Sequence, residues 1–407
     1  MTIPIVFSTN NAYAPYCYVA VSSLINHISS DNVYEIYVMK TELEETHIRN
    51  LEALSKGKVR VQCIDITAYC RDAVLQGYRY LSVEAYYRLF IPLVFPQYEK
   101  VMYLDSDICV MGDVAELYKE ELSGYAIGAV KEEPTTNVRT HCVELGIPDY
   151  TKAFNTGILL IDTVCFEKTE IRRKALEVLQ KDYKNKKKLL VWADQDALNI
   201  ILNGQVAWLP AKWNCQTRFL SRIQTLEEPE RSTYAQRMEH ALIYHYASPD
   251  KLWFHPENRY AKPFWNTAKN TPYFEKIFHE TVRRAQTLPF EKYHFPYDKV
   301  PFGSRIVLYG AGKIGQTFYR QLELTGYAKV VLWVDKGWRE LKGNLFEVVS
   351  PTEIMKTEYD LLFIAVEKDI IAKEIIEKLV LMKVQKEKIV YTEYIENETK
   401  GETYPEK

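Results

Sequence analysis

Val101-Met-Tyr-Leu-Asp105-Ser-Asp107-Ile-Cys-Val110 is an apolar run broken by two carboxylates. A short run of bulky residues suits a strand buried on both faces of a parallel sheet. Such a strand delivers the residues after it to the sheet's carboxyl edge, where open α/β folds place their ligands. Asp105 and Asp107 stand at that edge. With period two along an extended backbone they project to the same side, and two carboxylates that close repel unless a cation lies between them. Oxygen ligands of this kind suit a hard divalent ion that also takes phosphate oxygens, Mg²⁺ or Mn²⁺. The spacing alone is not specific: Asp194-Gln-Asp196 repeats it, and Asx residues closing a strand also serve as turn formers. The apolar strand at 101–104 is what singles out the first pair.

Working outward towards the start, Ile3-Pro-Ile-Val-Phe7 reads as a strand ending in Ser8-Thr-Asn-Asn11, and residues 16–28 carry apolar side chains at helical spacing. Strand again at 33–39, helix at 43–54 and strand at 59–64 give the alternation of a parallel sheet with helical crossovers. Leu81-Ser-Val-Glu-Ala-Tyr-Tyr-Arg-Leu-Phe90 predicts a helix leading into Pro92 and Pro96. Its Arg88 suits either a diphosphate or a carboxylate partner. Beyond the central run, strands are predicted at 125–130 and 154–161, with Asn155-Thr-Gly157 opening the second. A helix over 192–202 holds Asp194 and Gln195 in its first turn, where acidic groups suit the helix dipole. A last short strand, Leu242-Ile-Tyr-His245, ends in a histidine, and a lone histidine near an apolar strand is more often a satisfied structural residue than a ligand.

At 407 residues the chain is long for one core, and a hydrophobic share of 47% with a net charge of -2 allows a large core without global attraction to nucleic acid. Lys184-Asn-Lys-Lys-Lys188 is the local exception and fits a solvated helix end. Seven scattered cysteines without a C-x-x-C pair argue against a disulfide framework or zinc site and for a reducing compartment. No apolar stretch reaches membrane-spanning length, and Met1-Thr-Ile-Pro4 lacks a signal-peptide pattern, so the expectation is a cytoplasmic protein. The abundance of tyrosine, 30 residues, suits packing against sugar C–H faces as well as a half-buried core.

Periodicity lapses over 288–303, a turn-rich stretch taken as a linker. Past it, Arg305-Ile-Val-Leu-Tyr309 runs into Gly310-Ala-Gly312-Lys-Ile-Gly315, a helix and a strand ending in Asp335. That is the dinucleotide fingerprint in its expected setting, although its glycines also allow close helix-on-strand packing without a ligand. The expected organisation is a domain over 1–287, the linker, a small Rossmann-like α/β domain over 304–395 and a tail over 396–407.

Five motifs in order resemble those of the family 8 glycosyltransferases over roughly residues 3–270. These are Val6-Phe-Ser-Thr-Asn-Asn-Ala-Tyr13, Tyr103-Leu-Asp-Ser-Asp107, Phe154-Asn-Thr-Gly-Ile-Leu-Leu160, Ala193-Asp-Gln-Asp-Ala-Leu-Asn199 and His245-Tyr-Ala-Ser-Pro-Asp-Lys251. The resemblance implies a GT-A fold, an α/β domain built on a mixed, mainly parallel sheet. It implies a retaining hexosyltransferase that takes glucose or galactose from UDP-glucose or UDP-galactose to a glycan or lipid-linked acceptor. Mn²⁺ is the implied cofactor, with Mg²⁺ as second choice.

Carried over residue by residue, Asp105, Asp107 and His245 would bind the metal, Ser106 would lie at the donor between the two aspartates, and Lys251 would meet the diphosphate. Asn10, Ala12 and Tyr13 would hold the uridine. Arg88, Asn155 and Glu132 would line the donor pocket, and Asp194 and Gln195 would lie beneath the anomeric carbon as catalytic residues. Two departures stand out: Asn10 where many members carry aspartate, and Ser248 where they carry glycine. No nucleic-acid partner is implied, and a lipid-linked acceptor would be met at the inner face of the membrane. Two other readings remain open at this point. One is an NAD(P)-dependent oxidoreductase acting through Gly310–Gly315. The other is a silent sugar-nucleotide-binding protein.

Overall fold

The protein is described here from a computed structural model covering residues 1–29, 31–71, 73, 75, 82–133, 135–185, 189–218, 230–247, 251–254, 258–285, 293–340 and 347–392. It divides into two compact units, Met1–Phe274 and Glu275–Lys407.

The first unit is built on strands β1 (Thr2–Ser8), β2 (Val33–Lys40), β3 (Val59–Asp65), β4 (Lys100–Leu104), β5 (Ile108–Val110), β6 (Ile127–Lys131), β7 (Phe154–Asp162), β8 (Ala207–Trp208), β9 (Cys215–Gln216) and β10 (Ile243–His245). Seven of them form one sheet in the order β3-β2-β1-β4-β7-β6-β8. The half from β3 to β4 is parallel, β7 runs antiparallel to both β4 and β6, and β8 is parallel to β6. The sheet is therefore mixed and mainly parallel. The central strand alternates between two cores: Met102 and Leu104 pack with Ile3, Ile5 and Phe7, whereas Val101 and Tyr103 pack with Val6, Phe154 and Ile161. Burial on both faces is why its sequence is continuously apolar.

A second, three-stranded sheet has the order β5-β10-β9, with β10 antiparallel to β5 and parallel to β9. The backbone leaves β4 at Leu104, bends at Ser106 and Asp107, and enters β5 at Ile108, so the two carboxylates occupy the joint between the sheets. The helix Ala14–Ile25 buries nine of its twelve residues, which places it inside the core.

The helix expected over 81–90 is instead a 3₁₀ segment, Val83–Phe90, followed by a single α-turn, Ile91–Val94. Pro92 is the physical reason. In a continuous α-helix its N–H would bond the carbonyl of Arg88, and proline has none; Ile91 N donates to that carbonyl in the tighter three-residue pattern.

The second unit holds β11 (Arg305–Tyr309), β12 (Lys329–Val334), β13 (Leu361–Ile364) and β14 (Ile389–Val390) in a fully parallel sheet ordered β12-β11-β13-β14. The crossover helix Lys313–Thr325 ends at Gly326, whose φ of 61° is the left-handed C-terminal stop that glycine permits. The unit begins earlier than the turn-rich stretch suggested. Phe278 of the helix Phe274–Ala285 packs its ring 4.9 Å from Tyr297 and 5.0 Å from Tyr327. Phe295 lies against Phe318 and Phe363. Residues 293–303 are thus part of this core and not a free linker, because their aromatic side chains outweigh their turn-forming prolines. Among the described residues no helix is long and apolar enough to cross a membrane.

Candidate functional site

Pairing of His245 with Ile108 across the small sheet brings the histidine beside the carboxylates. One ligand atom each from Asp105, Asp107 and His245 lies within 4.8 Å of the others. His245 Nε2 is 3.3 Å from Asp107 Oδ1 and 3.7 Å from Asp105 Oδ2. The other ring nitrogen, Nδ1, is 2.9 Å from Asn214 Oδ1. An amide oxygen only accepts, so Nδ1 carries the proton and Nε2 presents a lone pair, the tautomer a metal ligand needs. The Asn214 amide is itself oriented, since its Nδ2 donates to Asn155 Oδ1 at 2.8 Å. Gly157 leaves room for the cluster: a Cβ there would stand 2.3 Å from His245 Cε1 and 2.8 Å from Asp105 Oδ2. Two oxygens, one imidazole lone pair and a cradle that only glycine leaves open fit a divalent metal.

Two buried cations balance these charges. Arg88 donates from Nη2 to Asp105 Oδ1 at 2.9 Å, meets Asp194 Oδ2 through Nε at 3.0 Å, and bonds the carbonyls of Ala85 and Thr156. Lys251 Nζ is 2.5 Å from Asp107 Oδ2. Burial pushes Asp105 upward, against the pull of Arg88, and Tyr103 donates its hydroxyl proton to Asp105 Oδ1 at 2.7 Å. For Asp107 burial acts the same way, but Lys251 outweighs it and holds the carboxyl well below the usual range. The two aspartates thus differ: one leans on a guanidinium that it shares, the other on an ammonium of its own.

The opposite wall comes from β7 and the helix Asp194–Leu202. Ala193, ahead of that helix, has φ 50° and ψ −113°, and Gln195 N donates to Trp192 O at 3.0 Å. This is a turn that favours glycine at the position alanine fills, at a cost of about 1–3 kcal/mol. It presents Asp194 and Gln195 inward. Burial pushes the Asp194 carboxyl to about 6, with Arg88 opposing and Asp105 adding to the rise. Gln195 Oε1 accepts from Asn155 Nδ2 at 2.9 Å and Thr156 N at 3.3 Å, and its Nε2 donates to Glu132 Oε2 at 3.3 Å. Glu132 also accepts from Glu133 N and Gln216 Nε2, and is ion-paired to Arg218 at 2.7 Å. Burial alone would raise Glu132, but Arg218 and these donors keep it low.

The first loop is more self-contained. Asn10 accepts from Tyr13 N through Oδ1 and donates to Glu84 Oε2 through Nδ2, each at 3.0 Å. Ala12 is exposed at the tip, and the Tyr13 ring centre is 5.9 Å from Lys251 Nζ. Ser106 donates its hydroxyl to Ser8 O at 2.7 Å, tying the aspartate bend to the end of β1. Ser248 lies outside the described residues.

In the second unit, the glycine motif is largely accounted for by packing. A Cβ on Gly315 would sit 2.0 Å from Gly310 O, and Gly310 has φ 108° with Ala365 O close by. The Asp335 carboxylate, expected at a ribose, accepts from Ala311 N at 2.8 Å and Gly337 N at 2.7 Å.

Sequence reading missed Asn214, Gln216 and Arg218. Their signal was available in Leu209-Pro-Ala-Lys-Trp-Asn214-Cys-Gln216-Thr-Arg218, where polar residues recur at period two beyond an apolar stretch.

Residues 4–256 match the family model described as Glycosyl transferase family 8, and residues 303–390 match one described as C2185-like, N-terminal. General stress protein A of Bacillus subtilis is 24% identical over 261 residues, covering 63% of this chain and 85% of that protein. Lipopolysaccharide 1,2-glucosyltransferase of Escherichia coli is 26% identical over 183 residues, 44% of this chain and 52% of that protein. Among solved structures, the galactosyltransferase LgtC with donor and acceptor sugar analogs superposes with a TM-score of 0.52 at 22% identity. That match covers 67% of this chain and 96% of that one, and is a likeness of fold.

Proposed function

The chain belongs to glycosyl transferase family 8, and on that premise we propose that it moves glucose or galactose from the UDP derivative to a hydroxyl of a glycan or lipid-linked acceptor, with retention at the anomeric carbon. The observation that carries this reading is the convergence of Asp105, Asp107 and the Nε2 lone pair of His245 at the joint between the two sheets. These three residues would hold the metal, and the imidazole favours Mn²⁺ over Mg²⁺. Bound there, the ion would neutralise the departing diphosphate, so that no protein acid is needed to protonate it.

The chain's own groups do the rest. Lys251, beside Asp107, meets the diphosphate, and the Asn10 to Tyr13 loop receives the uridine. Arg88 bridges Asp105 and Asp194, so that the metal side and the sugar side of the site are set by a single buried guanidinium. Asp194 and Gln195 act on the sugar after it has bound, and departure and attack on one face need no covalent sugar–enzyme bond. The relative named as a lipopolysaccharide glucosyltransferase supports a hexose donor and a surface-glycan acceptor. A lipid-linked acceptor of that kind would be met on the cytoplasmic side, at the inner face of the membrane.

Incubation with UDP-glucose and with UDP-galactose, with and without Mn²⁺, tests the reading through released UDP. The expected result is metal-dependent release from one of the two. Release from neither sinks the proposal.

A further inference from the structure

Three hydrogen-bond donors and one guanidinium converge on the two oxygens of Glu132. Glu133 N and Gln216 Nε2 meet Oε1 at 3.0 and 2.9 Å; Gln195 Nε2 and Arg218 meet Oε2 at 3.3 and 2.7 Å. An ionised carboxylate offers about four lone-pair sites, so three hydrogen bonds and an ion pair leave Glu132 little acceptor capacity for a sugar hydroxyl. The Gln195 amide is equally constrained. Its Oε1 takes two N–H donors, and one of them, Thr156 N, is backbone and cannot be anything but a donor. One N–H of Nε2 goes to a carboxylate, which cannot be anything but an acceptor. The amide therefore cannot be turned over without breaking contacts on both sides. Among the described residues, its only uncommitted polar group is the second N–H of Nε2.

We infer that Glu132 is a positioning residue: it locks the Gln195 amide so that this side chain meets the donor sugar as a hydrogen-bond donor, through Nε2–H, and not through its carbonyl oxygen. The ligand group is a sugar oxygen with a free lone pair, a hydroxyl or the ring oxygen of the hexose. The inference rests on the glycosyl-transfer reading above and deepens it. A carbonyl that already accepts two hydrogen bonds is a poor stabiliser of positive charge at carbon, so within this pair that task falls to the Asp194 carboxylate.

Gln216 supplies a built-in control. Its Oε1 is buried without a hydrogen-bond partner among the described residues, while its Nε2 is spent on Glu132. In Glu132→Gln, a turned Gln216 amide can accept from the new amide N–H and the remaining carbonyl still accepts from Gln195, at the cost of the contact from Glu133 N. Glu132→Met offers no oxygen acceptor, only a weakly accepting thioether.

The test measures UDP release from the preferred sugar nucleotide in Mn²⁺, together with donor affinity by calorimetry and thermal unfolding. Glu132→Met should lower kcat by about 100-fold with donor affinity within about threefold, while Glu132→Gln should stay within about tenfold of wild type. Gln195→Glu, which has no N–H to give, should be as slow as Glu132→Met. Combining it with Glu132→Gln should recover unfolding temperature, by restoring an amide–carboxylate pair, without recovering kcat. Donor affinity falling as far as kcat in Glu132→Met would overturn the inference, because Glu132 would then hold the sugar itself. So would near-wild-type turnover by the Glu132→Gln, Gln195→Glu pair, which would show that the N–H is dispensable. Should Glu132→Met fail to fold, the other variants still decide. A wild-type protein that releases UDP from neither sugar nucleotide defeats the underlying reading and the inference together; an active wild type with the contrary variant pattern defeats the inference alone.

Discussion

Asn214 and His245 are joined by one hydrogen bond, 2.9 Å from Oδ1 to Nδ1, and it decides which imidazole nitrogen is bare. Asn214→Leu removes the acceptor while keeping the bulk. We expect Mn²⁺ affinity to drop about 10–100-fold, the range found for partners of ligating histidines. Asn214→Asp keeps an acceptor and should lose less. Electron paramagnetic resonance of Mn²⁺ without any donor reads both, and equal affinity of Asn214→Leu and wild type would deny Asn214 this part.

Gly157→Ala is a second probe of the same cluster. The added methyl would collide with the buried His245 ring and with Asp105, so one of these two groups must shift. The expected outcome is a folded protein with at least about tenfold weaker Mn²⁺ binding. Unchanged binding in the same resonance assay would contradict the crowding.

Asp105→Asn and Asp107→Asn should both abolish metal-dependent UDP release, but they should differ in stability. Arg88 keeps Asp194 and two carbonyls when Asp105 loses its charge. Lys251, nine-tenths buried, has Asp107 as its carboxylate within ion-pair distance. Removing one partner of a buried pair costs about 3–5 kcal/mol. Unfolding by denaturant in metal-free buffer should therefore rank Asp107→Asn as clearly the weaker protein. The reverse order would refute the asymmetry drawn from Arg88 and Lys251.

Asp194 gives a pH prediction. Its folded pKa of about 6 lies above the ordinary carboxyl value of 3.8, so the native state holds the proton more tightly than the unfolded chain. Its contribution to stability is then greatest below pH 4 and is lost as pH rises to about 6. Asp194→Asn should unfold at a higher temperature than wild type at pH 8, show no such gain at pH 4, and transfer sugar much more slowly at both. A variant less stable than wild type at pH 8 would mean that the charge, once formed, is fully compensated by Arg88.

The sequence exposed the site wherever a residue's chemistry and its local period coincided. Asp105 and Asp107 were legible as a carboxylate pair directly after an apolar strand, although the backbone between them bends and does not run extended. The identical spacing at Asp194 and Asp196 behaves differently on a helix. There Asp194 turns to Arg88, while Asp196 turns to His141 at 2.9 Å and to Trp192 N. Asn214, Gln216 and Arg218 were hidden because strand β9 is only two residues long, and its meaning comes from β10 beside it. The start of the second unit was misplaced for a related reason. Prolines near Tyr297 signal turns locally, whereas the stacking of Phe278 on Tyr327 joins residues that no window along the chain sees together.

The small sheet fixes when in folding the site comes into being. β1, β2 and β3 pair with near neighbours along the chain, but β5 must wait for β10, which returns after β6, β7, β8 and β9 have been laid down. Pairings of that separation carry the larger loop-closure cost and form late. The Nε2 of His245 reaches the two aspartates only once that return is complete. A cation that binds the finished cluster and not the open chain then adds its binding energy to this last closure. The metal would act as a clasp on the longest loop of the first unit, and a chelator should loosen β10 while β1, β2 and β3 still stand.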